Sequence, residues 1–433
     1  MNFPQSFLLG AATAGHQVEG GNVNSDCWAM EHMKYSSYTE PSLDAVDHYH
    51  RYEEDIRLMK NAGLNAYRFS IEWSRIQPDE DVFSEKEIAH YLKVIRCCKE
   101  NGVEPIITLH HFASPKWLIT KGGWEAETTI DYFVRYCKYV IQNIGSEINY
   151  VCTINEANMG LQIASISKRY MLQVQAMTNS ASDASKNVEG TVQLGLDIKR
   201  MMENQQAMQA ESAQVFEVDD PKKVQVFTSE RTPEGDILVM RAHQAARTVI
   251  KELFPNIKVG VTLSMHDIQA LPGGEEHAKK EWDNEFTHYL PYIKDDDFLG
   301  VQNYSRSVFD ENGLCPNPED AELTQMNYEF YPQALENVIR KVAQDFDGDI
   351  IVTENGIATT DDTRRVAFIE QALAGVKNCV DDGIPVRGYT HWSLLDNFEW
   401  QKGFSMTFGL IAVDRTTQKR IPKKSLDYLG SLR

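Results

Sequence analysis

The sequence predicts an α/β chain closed into one (β/α)8 barrel of the TIM type, residues 1–433 forming a single domain with long loops at the C-terminal face of the strands. Three observations predict it. Eight short β-rich runs recur along the whole length, and helix-period segments separate them. Polar and aromatic residues gather at the same end of nearly every run, where such barrels carry their chemistry.

The eight runs are Phe7–Ala14, Ala66–Trp73, Glu104–Phe112, Tyr150–Asn158, Lys258–Met265, Phe298–Ser305, Asp349–Gly356 and Val386–Asn397. Between the first two, Asp47–Gly63 places apolar residues at helical spacing and ends in a glycine stop. Between the next two, Ser84 is an N-cap with Glu87 three residues on, and the segment closes at Asn101-Gly102. A minimal barrel needs about 250 residues, so the surplus must lie in loops. Its largest part is the stretch 162–229, poor in aromatics and rich in Ala, Ser, Asn, Gln and Met, which reads as a variable insertion after strand four. Within it, Val188–Glu203 has the pattern of an amphipathic helix.

Composition narrows the function class. A net charge of −20 with no compensating basic block argues against nucleic acid and anionic membranes as partners. Seven cysteines, an odd number without a C-x-x-C pair, point to free thiols in a reducing compartment. The first fourteen residues end in small side chains but carry no basic n-region, so the expected location is cytoplasmic. No residue argues for a particular interface, which leaves a homo-oligomer open.

Two carboxylates stand out. Glu156 ends Tyr150-Val-Cys-Thr-Ile-Asn-Glu, and Glu354 ends Asp349-Ile-Ile-Val-Thr-Glu. A buried strand does not finish in a carboxylate without a partner, because an unpaired buried charge is costly. Two such strands, far apart in sequence, predict two acids facing one cavity, as glycoside hydrolysis requires. Asn155 directly precedes Glu156, Arg68 lies within the second run, and His111, Tyr304 and Trp392 lie toward the ends of other runs. Together they offer the hydrogen bonds and aromatic platform that a sugar ring needs. Singly, each has a plainer reading: Arg68 could pair with Glu72, and the tryptophans could be core. The His110-His111 pair lacks His-x-His or His-x-x-x-His spacing, so no metal site is expected.

The chain resembles glycoside hydrolase family 1, the β-glucosidase-like retaining enzymes. The resemblance rests on residues 3–20, Tyr67-Arg-Phe-Ser-Ile-Glu-Trp-Ser-Arg75, Thr353-Glu-Asn-Gly356, residues 388–400 and Phe408-Gly-Leu-Ile-Ala-Val-Asp414. It runs from end to end except after strand four. It implies that Glu354 is the nucleophile, that Glu156 is the acid/base, and that Arg68 and Tyr304 contact Glu354. It implies further that Asn155 binds the sugar 2-hydroxyl, while Gln17, His111, Trp392, Glu399, Trp400 and Phe408 bind the rest of the ring. The two carboxyls should lie about 5 Å apart, as retention demands. Nothing in this scheme needs a metal or cofactor. The sequence departs from the family pattern at Ala157, Phe112 and Gln302-Asn303, where Pro, Trp and Asn-Tyr are usual, and in the segment after strand four. The expected substrate is a small unphosphorylated β-D-glucoside or oligosaccharide, with β-D-galactosides and fucosides also in range. Glu399 would repel a 6-phosphate. The alternatives are a 6-phospho-β-glycosidase, a metal-dependent barrel hydrolase and a catalytically silent sugar-binding barrel.

Overall fold

The computed structural model describes residues 3–179 and 205–433. Eight parallel strands close a barrel: β1 (Leu8–Ala12), β2 (Ala66–Ser70), β3 (Glu104–His110), β4 (Tyr150–Ile154), β5 (Lys258–Ser264), β6 (Phe298–Gln302), β7 (Asp349–Glu354) and β8 (Val386–Trp392). Each pairs with its sequence neighbours, and β1 closes the ring against β8. All eight predicted runs are therefore strands. Each stops one to five residues short of the predicted C-terminal limit, because there the chain turns over the barrel rim.

Register sets the functional level. Ala12 pairs with both Arg68 and Trp392, so these two lie at one height on either side of β1. On the far wall Ser264 pairs with Gln302, and Gln302 with Glu354 across an irregularity between Val352 and Glu354. A one-residue irregularity re-aims the side chain that follows it, here Glu354. Below this level Ala66, Ile106, Cys152, Phe298 and Ile351 fill the barrel as a small buried cluster. The large core lies outside, between strands and helices. Gly10 is required where β1 meets β2, since a Cβ there would stand 1.9 Å from the Ala66 carbonyl oxygen.

Helices cover the barrel as the periodicity predicts. His48–Ala62 ends at Gly63, in the left-handed region at φ +101°, whose N–H returns to the Lys60 and Met59 carbonyls. Glu85–Glu100 starts on Ser84, whose hydroxyl accepts the Glu87 N–H at 3.3 Å. Glu87 does not close the reciprocal half of a capping box, because its carboxylate accepts the Tyr49 hydroxyl at 2.9 Å. After β4 come the helices Met159–Asn179, Gln205–Val215 and Pro233–Leu253. The helix expected over 188–203 lies outside the described residues. Among the described residues no helix is long and apolar enough to cross a membrane, and all seven cysteines are free thiols.

Candidate active site

Arg68 organises the C-terminal end of the barrel. It projects from β2 with no exposed surface, and burying a guanidinium demands partners for its donors. One arm (Nη1) donates to Glu354 Oε1 at 2.6 Å and the other (Nη2) to Asn155 Oδ1 at 2.6 Å. The Tyr304 hydroxyl donates to the second Glu354 oxygen at 2.6 Å. Asn155 Oδ1 also accepts from Gln302 Nε2 at 2.8 Å and Thr262 Oγ1 at 3.2 Å. Its amide nitrogen therefore faces His111 Nε2, 3.2 Å away. An amide N–H can only donate, so His111 Nε2 accepts and the imidazole proton sits on Nδ1. That Nδ1 is buried without a partner among the described residues, leaving a donor for a ligand hydroxyl.

Glu156 stands just beyond β4 in different surroundings. Its backbone N–H is held by Thr262 Oγ1 at 2.9 Å, and its φ of +44° lies in the left-handed region. Phe112 (+64°) and Trp400 (+45°) share that conformation, which non-glycine residues adopt at a cost. Burial pushes the Glu156 carboxyl well above the ordinary range, the negative Glu354 pushes it further, and Arg68 opposes both. Burial raises Glu354 as well, but Arg68, the Tyr304 hydroxyl and Gln302 counteract it directly. Two like residues thus differ by environment, and the surroundings favour the ionised form of Glu354 over that of Glu156. His111 is held neutral by burial and by the Arg68 charge.

A wall of rings and amides encloses the rest. The His111 ring lies 5.6 Å from Trp392 and 6.2 Å from Trp400, nearly parallel to each at 21° and 19°. Gln17 Nε2 donates to the Phe398 carbonyl at 2.8 Å and to Glu399 Oε2 at 3.2 Å, while its Oε1 is buried without a partner among the described residues. Phe408 packs edge-on against Tyr304 with ring centres 6.1 Å apart. The eleven side chains singled out from the sequence all converge here, none more than 4% exposed. Glu72 is not Arg68's partner; it accepts from Ser70 and Asn22, both at 2.8 Å. His110 turns away to Ser114 and packs on Trp124 and Phe227, so it shares no site with His111.

The sequence model for Glycosyl hydrolase family 1 matches residues 1–188 and 286–433. The chain belongs to this family. It is 28% identical over 454 residues to Beta-glucosidase A of Thermotoga maritima, covering 98% of this chain and 96% of that protein. It is 27% identical over 465 residues to a 6-phospho-beta-galactosidase of Clostridium acetobutylicum, covering 98% and 95%. The crystal structure of the beta-glycosidase BGL167 superposes with a TM-score of 0.86 at 44% identity, covering 99% of this chain and 96% of that one. The apo structure of a beta-glucosidase named 1317 gives 0.85 at 40%, covering 98% of each. The protein is a glycoside hydrolase with the family's (β/α)8 barrel, acting on β-glycosides.

In this family 1 site, four residues escaped the sequence reading. Gln302 bridges Glu354 and Asn155, yet it reads only as a departure from the pattern on strand six. Thr262 and Ser264 bring β5 into the site beside Glu156. Their signal was present, as two polar residues on one face of an otherwise apolar strand. Tyr328, 2% exposed and 6.3 Å from the Tyr304 ring, feels the charges of Glu399, Glu156 and Glu354. It comes from a loop with no periodicity, and nothing in the sequence marks it.

Proposed function

We propose that this enzyme hydrolyses terminal, non-reducing, unphosphorylated β-D-glucosyl residues with retention of configuration, accepting β-D-galactosides and fucosides to a lesser degree. The observation that carries the reading is the unequal pair of carboxylates: Glu354 clamped by Arg68 and Tyr304, Glu156 raised by burial and by Glu354. Glu156 donates its proton to the glycosidic oxygen while ionised Glu354 attacks the anomeric carbon, and the alcohol leaves. With Glu354 consumed as an ester, Glu156 loses its negative neighbour and takes a proton from water. The resulting hydroxide equivalent releases the sugar and restores Glu354. Asn155, fixed by Arg68 and Gln302, presents its amide to the 2-hydroxyl, where hydrogen bonds strengthen in the transition state.

Glu399 supports the unphosphorylated substrate. It is buried beside Gln17, where a carboxylate accepts from 4- and 6-hydroxyls and repels a 6-phosphate dianion. Beta-glucosidase relatives agree with this choice, and 6-phospho-beta-galactosidase relatives define its competitor. The carboxyls of Glu156 and Glu354 are placed about 5 Å apart in this mechanism. The chain is read as one catalytic domain working in the cytoplasm on a small β-glycoside or oligosaccharide.

The test is proton NMR of the first product formed from a β-glucoside, run beside its 6-phosphorylated counterpart. A β-anomer from the neutral substrate supports the reading. An α-anomer contradicts retention, and turnover of the phosphorylated substrate alone contradicts the specificity.

A further inference from the structure

His16 is buried against the wall of rings and amides, and no step of the proposed chemistry uses it. It lies on the short helical turn Gly15–Val18 that follows β1, one residue before Gln17. The Gly15 N–H donates to Ser70 Oγ at 2.7 Å, which ties this turn to β2. The His16 imidazole is parallel to the Trp400 indole within 3°, with ring centres 5.8 Å apart, and it meets Phe398 edge-on at 6.1 Å. Trp400 therefore has two imidazole neighbours at stacking angles, His16 and His111.

Both edges of the His16 ring are held. Asn22 Oδ1 accepts the Ser74 hydroxyl at 2.7 Å, so Asn22 turns its amide nitrogen to Glu72 Oε2 at 2.8 Å and to His16 Nδ1 at 3.3 Å. An amide N–H only donates, so Nδ1 accepts and the imidazole proton sits on Nε2. Nε2 donates to Glu31 Oε2 at 3.4 Å, and the other Glu31 oxygen accepts the Ser42 hydroxyl at 2.6 Å. Burial opposes the imidazolium, but Glu31, with Glu72 and Asp26 behind it, raises His16 above the ordinary histidine range. Nε2 carries its proton for Glu31 in either state.

A ring bonded on two edges is held against rotation, so the face it shows Trp400 is fixed. Trp400 needs such support, because its φ of +45° persists only where the surroundings impose it. Trp400 directly follows Glu399, and Gln17, next to His16, donates to Glu399 Oε2 at 3.2 Å. In the proposed reading Glu399 meets the 4- and 6-hydroxyls, across the sugar ring from the anomeric carbon. Loosening this wall should therefore weaken the bound glycoside and spare the reacting bond. We propose that His16 is a positioning residue of the sugar site, acting through Trp400 to set ground-state affinity for the glycosyl ring.

This inference rests on the glucosidase reading, and the experiment separates the two. The inhibition constant of phenyl 1-thio-β-glucoside and kcat on 2,4-dinitrophenyl β-glucoside are measured in the enzyme, His16→Gln, Trp400→Ala and the double variant. His16→Gln removes the ring and leaves Glu31 a donor. It should raise the inhibition constant about tenfold with kcat within about threefold, and add less than about twofold in the Trp400→Ala background. An unchanged inhibition constant, a loss carried by kcat instead, or equal effects in both backgrounds overturns the inference, while glucoside turnover leaves the glucosidase reading standing. A His16→Gln chain that circular dichroism shows unfolded also overturns it, because the ring then serves the fold. Should Trp400→Ala not fold, the split between binding and kcat in His16→Gln decides alone. If the enzyme neither binds nor cleaves a glucoside, the glucosidase reading fails. The same cycle with the 6-phosphorylated thioglucoside then decides His16 by the same criteria, and binding of neither ligand overturns both.

Discussion

At the residue scale, the two glutamates are distinguished by what neutralises them. Glu354 has a guanidinium and a phenol hydroxyl at hydrogen-bond distance, whereas the Glu156 carboxyl faces burial and a like charge. Removing each should therefore fail differently. Glu354→Ala should abolish turnover of every glycoside. Glu156→Ala should cost about 10²- to 10⁴-fold with alkyl leaving groups and far less in the first step with 2,4-dinitrophenolate, which needs no proton. Pre-steady-state bursts across leaving groups measure the split, and equal losses for both leaving groups would contradict the assignment. The pH profile follows from the same asymmetry. On the proposed mechanism activity needs Glu354 ionised and Glu156 protonated, so kcat/KM should rise as Glu354 loses its proton and fall as pH climbs through the raised value of Glu156. Glu156→Gln, assayed on the activated substrate, should lose the alkaline limb and keep the acid one. Both glutamates were legible in the sequence, because a carboxylate closing an apolar strand is costly unless it works. Gln302 and Tyr328 were not legible, since their significance arises only from neighbours brought in by folding.

At the scale of elements, the loops after β1 and β3 are tied together by Asp26. It begins the short helix Asp26–Glu31, which Ser25 caps by accepting the Trp28 N–H. Asp26 Oδ1 accepts the Cys27 and Ser114 N–H groups at 2.7 and 2.9 Å, while Oδ2 is buried without a partner among the described residues. Burial pushes this carboxyl up to about 6 despite those hydrogen bonds. A carboxyl near 3.9 in the unfolded chain and near 6 in the fold contributes stability that is full below about pH 4 and lost as pH rises through 6. Asp26→Asn keeps the accepting oxygen and removes the ionisation. It should raise Tm above pH 6, by up to about 3 kcal/mol of stability, with the gain vanishing near pH 4. Thermal melts across that range check it, and a pH-independent difference would refute it. Strand and helix identities were readable from periodicity at this scale. The strand ends were less so: Phe112, Glu156 and Trp400 leave regular structure in left-handed turns that a β-branched run does not announce.

At the scale of the molecule, the barrel gathers chemistry from all eight strand ends onto one face, and that gathering was predictable from the alternation of runs and helices. The loop architecture was not. The segment after β4 departs from the family pattern and lacks a strong period, so the sequence left its role open, whereas in the fold Gln205–Val215 and its following loop line a chamber together with residues after β1, β4 and β8. In the proposed reading, the negative net charge bears on substrate choice only where it becomes local, at the buried Glu399. The central claim joins fold, site and substrate: an ionised Glu354 attacks an unphosphorylated glucosyl ring. Incubation with 2,4-dinitrophenyl 2-deoxy-2-fluoro-β-glucoside, followed by intact mass and peptide mapping, tests it most directly. The account predicts one stable fluoroglucosyl adduct on the peptide carrying Glu354. A folded protein that forms no adduct, or forms it elsewhere, would contradict it.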